Sequence, residues 1–216
     1  PLGQIRTDGR DNIINSMLIA ASGRVHEVCI YFNGLLLRGC RSVKRSSDQF
    51  EAFAAPNDTP LAFAGIQIQY KLRPVPEGEF RFQPLSELPI GVVKVFPGIQ
   101  FAHFASLMTE KLRGVVLETF GAGNIPGAAQ NALLPIIERA YQNGTIIVVC
   151  SQCSQGTVSL GTYASSAALH EVGAVNGHDM TTEAAFAKLY YLLSRSDDPE
   201  WVKGQLGRDL RGELTE

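Results

Sequence analysis

From residue 90 onward the hydrophobic positions follow a repeating order: a short apolar run, a turn holding Gly or Pro, an amphipathic stretch of helical spacing, then another apolar run. This order predicts strands over Ile90 to Phe96, Gly114 to Leu117 and Thr145 to Cys150, with helices over Phe101 to Leu112 and Gly127 to Gln142 between them. Strands that are apolar on both faces and alternate with helices predict a parallel sheet covered on both sides. Pro126 stands at the start of the second helix and Asn143-Gly144 closes it. Past a polar stretch from Ser151 to Thr162, further helices are expected over Tyr163 to Glu171, after a cap at Thr181 or Thr182, and from Asp198 to Leu206. The middle one carries Ala184, Ala185, Phe186, Leu189, Leu192 and Leu193 at helical spacing, and the last opens on Pro199 with Trp201 as its anchor.

The first 72 residues read as part of another α/β unit. Their periodicity predicts a helix over Asn12 to Ala21, a strand over Val25 to Phe32, a second strand at Leu35 to Leu37, and a helical turn capped by Ser46 or Ser47 that ends at Phe53. Pro56, Asn57 and Pro60 mark a loop. Pro74, Pro76, Pro84 and Pro89 then interrupt any long helix, so residues 73–89 are expected to be a linker with one short strand at Phe80 to Phe82. The predicted fold class is therefore α/β: an incomplete N-terminal α/β domain over residues 1–72 and a smaller parallel-sheet α/β domain over residues 90–216.

Composition narrows the function classes. A chain of 216 residues that is 45% hydrophobic and 19% charged buries enough surface to offset its ordering entropy. Nineteen basic and twenty-one acidic residues leave a net charge of -2, which gives no electrostatic footprint for nucleic acid or for an anionic membrane surface. Apolar runs such as Ile146 to Cys150 are far shorter than the roughly 20 residues a spanning helix needs. Four cysteines do not make a disulfide framework, so a reducing, cytoplasmic location is expected. The chain opens on Pro1 with no basic and apolar leader, and the expectation is that upstream residues have been removed.

In an open parallel sheet ligands bind outside the carboxyl ends of the strands, which directs attention to three loops: Pro97-Gly98-Ile99, Glu118 to Pro126, and Ser151-Gln152-Cys153. In the middle loop Gly121 and Gly123 permit close backbone approach, and Asn124 offers donor and acceptor atoms ahead of a helix N-terminus. The same glycines also suit an ordinary strand-to-helix turn. Cys150 and Cys153 match C-x-x-C, but they start within an apolar strand, and His26, His103, His170 and His178 form no recognisable zinc pair with them; strand-end packing is expected instead. No metal and no cofactor are expected. Lys44 sits in a polar stretch and would matter chemically only if desolvated. Thr7-Asp8 reads as a turn before the first helix, and His103 and His170 as ordinary helix residues.

The wording of Gly114-Val115-Val116-Leu117-Glu118-Thr119-Phe120-Gly121-Ala122-Gly123-Asn124 resembles the second domain of a cytosolic, type I L-asparaginase. The resemblance continues through Arg6-Thr7-Asp8-Gly9-Arg10-Asp11-Asn12, Arg38-Gly39-Cys40-Arg41 to Lys44, Phe50 to Phe53 with Pro56-Asn57, Phe96 to Ile99, Ser151-Gln152-Cys153, and Leu210 to Thr215. It is similar in wording to animal members, some of which carry an ankyrin-repeat tail and have also been described as lysophospholipases. The resemblance implies hydrolysis of the asparagine side-chain amide to aspartate and ammonia by a threonine nucleophile, in a homo-oligomer. It places Lys44 as the lysine that serves a second catalytic threonine, and Asn124 as the asparagine that reaches substrate from a neighbouring subunit. Glu118, Thr119 and Cys153 are then candidates for a regulatory pocket between subunits.

The chain departs from the family pattern in two respects that matter: Glu118-Thr119 stands where the bacterial enzymes usually have Arg-Ser, which speaks against that regulation, and neither Thr-Gly-Gly-Thr nor Thr-Asp-Thr occurs in it. The expectation is a truncated asparaginase, inactive alone, whose first 72 residues are the less stable half or are covered by another copy. Two rivals are a non-catalytic asparagine-binding module and the asparaginase-like subunit of a transfer-RNA-dependent amidotransferase. The acidic balance gives the latter no support, and no Gly-x-Ser-x-Gly elbow supports lysophospholipase chemistry.

Overall fold

A computed structural model describes residues 2–74, 79, 81–161 and 164–215, with the side chains of Ala128, Ala164 and Ser165 not described. The chain divides into two compact units, Pro1–Arg81 and Phe82–Glu216.

The first unit holds helix α1 (Gly9–Ala21) and two small antiparallel sheets. One sheet orders its strands β1 (Cys29–Phe32), β2 (Leu35–Arg38), β5 (Ala62–Ala64) and β6 (Ile68–Tyr70); the other pairs β3 (Val43–Lys44) with β4 (Phe53–Ala54). Strands β1 and β2 form a hairpin closed by Asn33 and Gly34, both at positive φ (49° and 78°), the backbone that a two-residue turn between right-twisted strands requires. Ile19 of α1 meets Leu36, Leu61 and Ala62 in a small buried cluster. The helical turn expected before Phe53 is absent. The Ser46 hydroxyl accepts the N–H groups of Asp48 and Gln49, and Arg45 and Ser46 donate their N–H groups to the Ala52 carbonyl, so local bonds fold this stretch into a hairpin instead. The strand expected at Phe80 to Phe82 includes Phe80, which lies outside the described residues; Arg81 and Phe82 are not in a strand.

The second unit is a parallel sheet ordered β10 (Val175–Asn176), β9 (Ile146–Ser151), β8 (Gly114–Thr119), β7 (Ile90–Lys94). Successive residues of the strands point to opposite faces. Val115, Leu117, Ile147 and Val149 pack under α2 (Gly127–Gln142) through Leu133, Ile137 and Ala140. Val116, Ile146, Val148 and Cys150 pack under α4 (Thr182–Leu193) and α5 (Pro199–Leu206) through Leu189, Leu192, Val202 and Leu206. Helix α4 comes so close to β8 that a Cβ on Gly114 would stand 2.7 Å from Leu189. The caps follow sequence chemistry: Thr181 accepts the Ala184 N–H, and Asp198 accepts the Glu200 N–H just ahead of Pro199. Helix α3 spans Ala164–Glu171; Tyr163, where it was expected to begin, lies outside the described residues. Pro126 is the cap before α2 rather than its first residue.

The single helix expected over Phe101 to Leu112 is instead a 3-10 turn at Phe101–Phe104 followed by a π turn at Leu107–Lys111. The Thr109 hydroxyl donates to the Ala105 carbonyl at 2.9 Å, taking the acceptor that an α-helix assigns to the Thr109 N–H. No helix among the described residues is long and apolar enough to cross a membrane.

Candidate functional site

The carboxyl ends of β7, β8 and β9 are tied together by Gln152. Its backbone N–H donates to the Thr119 carbonyl at 2.9 Å, and its side-chain amide donates to the carbonyls of Val95 (2.5 Å) and Glu118 (2.9 Å). These carbonyls lie where the ladder stops, so one amide satisfies backbone acceptors from two neighbouring segments and fixes the edge from which the loops leave. Sequence reasoning missed this role, although a glutamine directly after a buried apolar strand was its available signal.

Asn124 sits on that edge. It is exposed, and its backbone forms an isolated bridge with Phe120: the Asn124 N–H donates to the Phe120 carbonyl at 2.8 Å and the Phe120 N–H returns to Asn124 at 3.0 Å. The chain reverses between them because Gly121 and Gly123 hold φ of 49° and 116°. Gly123 has a second constraint: a Cβ there would meet Leu160 at 3.2 Å and Val158 at 3.5 Å, so the loop after β9 backs this turn. The two glycines thus both shape the turn and bring it against its neighbour.

The three residues grouped as a regulatory pocket have different surroundings. Glu118 is half-buried, and its carboxylate accepts the Thr182 hydroxyl at 2.8 Å. Thr119 is fully buried and donates its hydroxyl to the Cys150 carbonyl at 3.1 Å, which makes it a strand tie. Cys153 is exposed, with its N–H on the Ser151 hydroxyl. Cys150 is buried at the end of β9, and desolvation, reinforced by the Glu118 charge, pushes its thiol up to about 12. The C-x-x-C pair therefore joins a core thiol to a surface one. Among the described residues no group of three His, Cys, Asp or Glu side chains could hold a metal.

Lys44 lies in the first unit on β3, exposed, opposite Phe53 in register and with its ammonium 4.9 Å from that ring's centroid. The neighbouring Arg38-Gly39-Cys40-Arg41 segment holds buried charge. Arg38 pairs with Glu27 at 2.5 Å, which keeps its guanidinium firmly charged, and Asp58 lies 3.8 Å from it; Arg41 donates to the Asn57 carbonyl at 2.7 Å. Gly39 passes so near Val28 that a Cβ would stand 2.9 Å from its carbonyl oxygen. Thr7 and Asp8 form the expected turn: the Thr7 hydroxyl accepts the Gly9 N–H, and Asp8 accepts the Asn12 side-chain amide.

Residues 89–206 match the glutaminase/asparaginase C-terminal domain, and residues 1–76 match the N-terminal asparaginase domain. L-asparaginase 1 of Escherichia coli (strain K12) is 39% identical over the whole chain, which spans 64% of that relative's length. The 60 kDa lysophospholipase of Homo sapiens is 37% identical over the whole chain, which spans 38% of it. The crystal structure of L-asparaginase I from Vibrio cholerae matches all of this chain and 66% of its own, with a TM-score of 0.91 and 40% identity. With residues 1–76 and 89–206 matching the two asparaginase domains in order, the chain belongs to the asparaginase family.

Proposed function

We propose that this chain is the larger part of an L-asparaginase, contributing to a site in which the asparagine side-chain amide is hydrolysed to aspartate and ammonia. The observation that carries this reading is the ordered match of both units to the two asparaginase domains, with Asn124 standing exposed on the strand edge where an open parallel sheet takes its ligands. In this reading Asn124 reaches the substrate from a neighbouring subunit, and Lys44 holds or deprotonates a threonine in the site of its own subunit. That threonine and the nucleophile belong to a Thr-Gly-Gly-Thr and a Thr-Asp-Thr segment, neither of which occurs in these 216 residues. In this reading both threonines come from residues outside these 216. Ile13, Ile14, Met17 and Leu18 of helix α1 face solvent and would meet a covering surface. The assembled enzyme is a cytosolic homo-oligomer.

Ammonia release from L-asparagine tests the proposal directly. The chain alone releases none, and release starts when a separately made N-terminal piece carrying both threonine segments is added. Replacing Lys44 by Ala in the complemented protein abolishes turnover, and replacing Asn124 by Ala raises KM. Turnover by the 216-residue chain alone, or none from two pieces shown to associate, would overturn the reading.

A further inference from the structure

Residues 208–215, which follow α5, form no regular element, yet their position is fixed by a buried ion pair. The Lys188 ammonium lies 2.6 Å from the Glu213 carboxylate, both side chains are more than nine-tenths buried, and the same ammonium donates to the Arg208 carbonyl at 2.5 Å. The backbone curls around that carboxylate, which also accepts the N–H groups of Leu210 (3.1 Å) and Arg211 (2.6 Å). Leu214 then enters the cluster under α4 and α5. A clasp that served only this packing would end there.

It does not end there. Thr215 donates its N–H and its hydroxyl to the two carboxylate oxygens of Asp179, at 2.8 and 2.7 Å. Asp179 belongs to the short loop between β10 and α4, where the preceding residue His178 holds a positive φ of 52° and donates its N–H to the Asn176 side-chain oxygen. The His178 carbonyl accepts the Val158 N–H at 2.9 Å, and Ser159 in turn donates its N–H to the Ala122 carbonyl at 3.2 Å. Ala122 lies between the two glycines that turn the chain toward Asn124, and Val158 and Leu160 are the side chains that Gly123 rests against. Four irregular segments are thus joined in series by hydrogen bonds.

We propose that the 208–215 segment is a positioning element for the Asn124 turn, with Glu213 and Asp179 as its anchoring residues. This rests on the reading of Asn124 as a substrate contact, since a turn that meets no ligand would have nothing to be positioned for. The bridge between Phe120 and Asn124 closes the turn on itself, but holding the closed turn within about 0.5 Å of one place requires support from outside it. The sequence of bonds supplies that support without placing 208–215 in contact with substrate.

Residue-resolved hydrogen exchange on the full 216-residue chain tests this independently of activity. In Asp179→Ala, and to a smaller degree in Glu213→Gln, the amides of Val158, Ser159 and Asn124 exchange about tenfold faster, while those of Val116 and Val148 in the sheet centre keep their rates. Asp179→Asn, which keeps one acceptor oxygen, restores most of the protection. In the complemented protein Asp179→Ala raises KM for L-asparagine more than it lowers kcat. Unchanged loop amides, or equal acceleration in loop and sheet centre, would overturn the proposal. Absence of asparagine turnover in the complemented wild type would defeat the functional reading instead, while the exchange data would still report whether the loops are tied in series.

Discussion

The two units bury their apolar residues to different degrees. In the second, a parallel sheet is covered on both faces, and its strands alternate between one cluster under α2 and another under α4 and α5. In the first, α1 lies on an antiparallel sheet over a cluster of four buried residues, and the rest of its apolar stripe is wet: Ile13 is 45% exposed, Ile14 55%, Met17 67% and Leu18 57%. Both helices and strands have the hydrophobic content to be core elements. What separates the units is whether a second layer covers those residues within the unit.

Limited proteolysis exposes the difference most strongly: the first cuts fall before residue 82, and initial cleavage inside β8 or β9 would reverse the comparison. Lys188→Met comes next. It leaves Glu213 buried without its cation, and the second unit loses about 4 kcal/mol in denaturant titration, a loss only partly recovered in Lys188→Met with Glu213→Leu, which removes the buried charge but leaves the N–H groups of Leu210 and Arg211 without their acceptor. Within α1 the contrast is internal to one helix. Ile19→Ala costs about 3 kcal/mol because its side chain is 4% exposed, whereas Met17→Gln stays within about 0.5 kcal/mol and lowers any tendency to self-associate.

The smallest effect is a slope. Burial lowers the His178 pKa below its ordinary 6.5, opposed by Asp179 and aided by Lys188, so folding favours the neutral imidazole. The unfolded chain takes up that proton first as pH falls; the stability is fully present above 6.5 and is lost as pH drops from 6.5 toward the lower folded value. His178→Asn, which accepts the same positive φ, flattens the dependence of the second unit's unfolding midpoint on pH in that window.

The second unit was the more legible in the sequence, for the same reason that it is the better closed. Its strands are apolar on both faces and separated by whole helices, so period and punctuation agree, and the helix Gly127–Gln142 has the bounds its pattern predicts. Legibility failed where a side chain competes for a backbone group, as Ser46 does in the β3–β4 turn and Thr109 does in the π turn. It failed again for very short strands such as β5 and β10, whose pairing is set by distant partners. The strand edge proposed to take the ligand followed from topology alone. Gln152, Glu213 and Asp179 did not, since a glutamine, a glutamate and an aspartate in polar stretches look like surface residues until the fold brings Val95, Lys188 and Thr215 to them.

The thiol of Cys150 has a practical consequence. Alkylating reagents attack thiolates, and a side chain with no exposed surface and a pKa near 12 offers almost none at neutral pH. Three residues away, Cys153 stands in solvent. Blocking Cys153 together with the half-buried Cys29 and Cys40 first leaves Cys150 as a silent chemical clock: its later labelling counts only the moments when the carboxyl end of β9 opens, and so times the breathing of the second unit without any introduced probe.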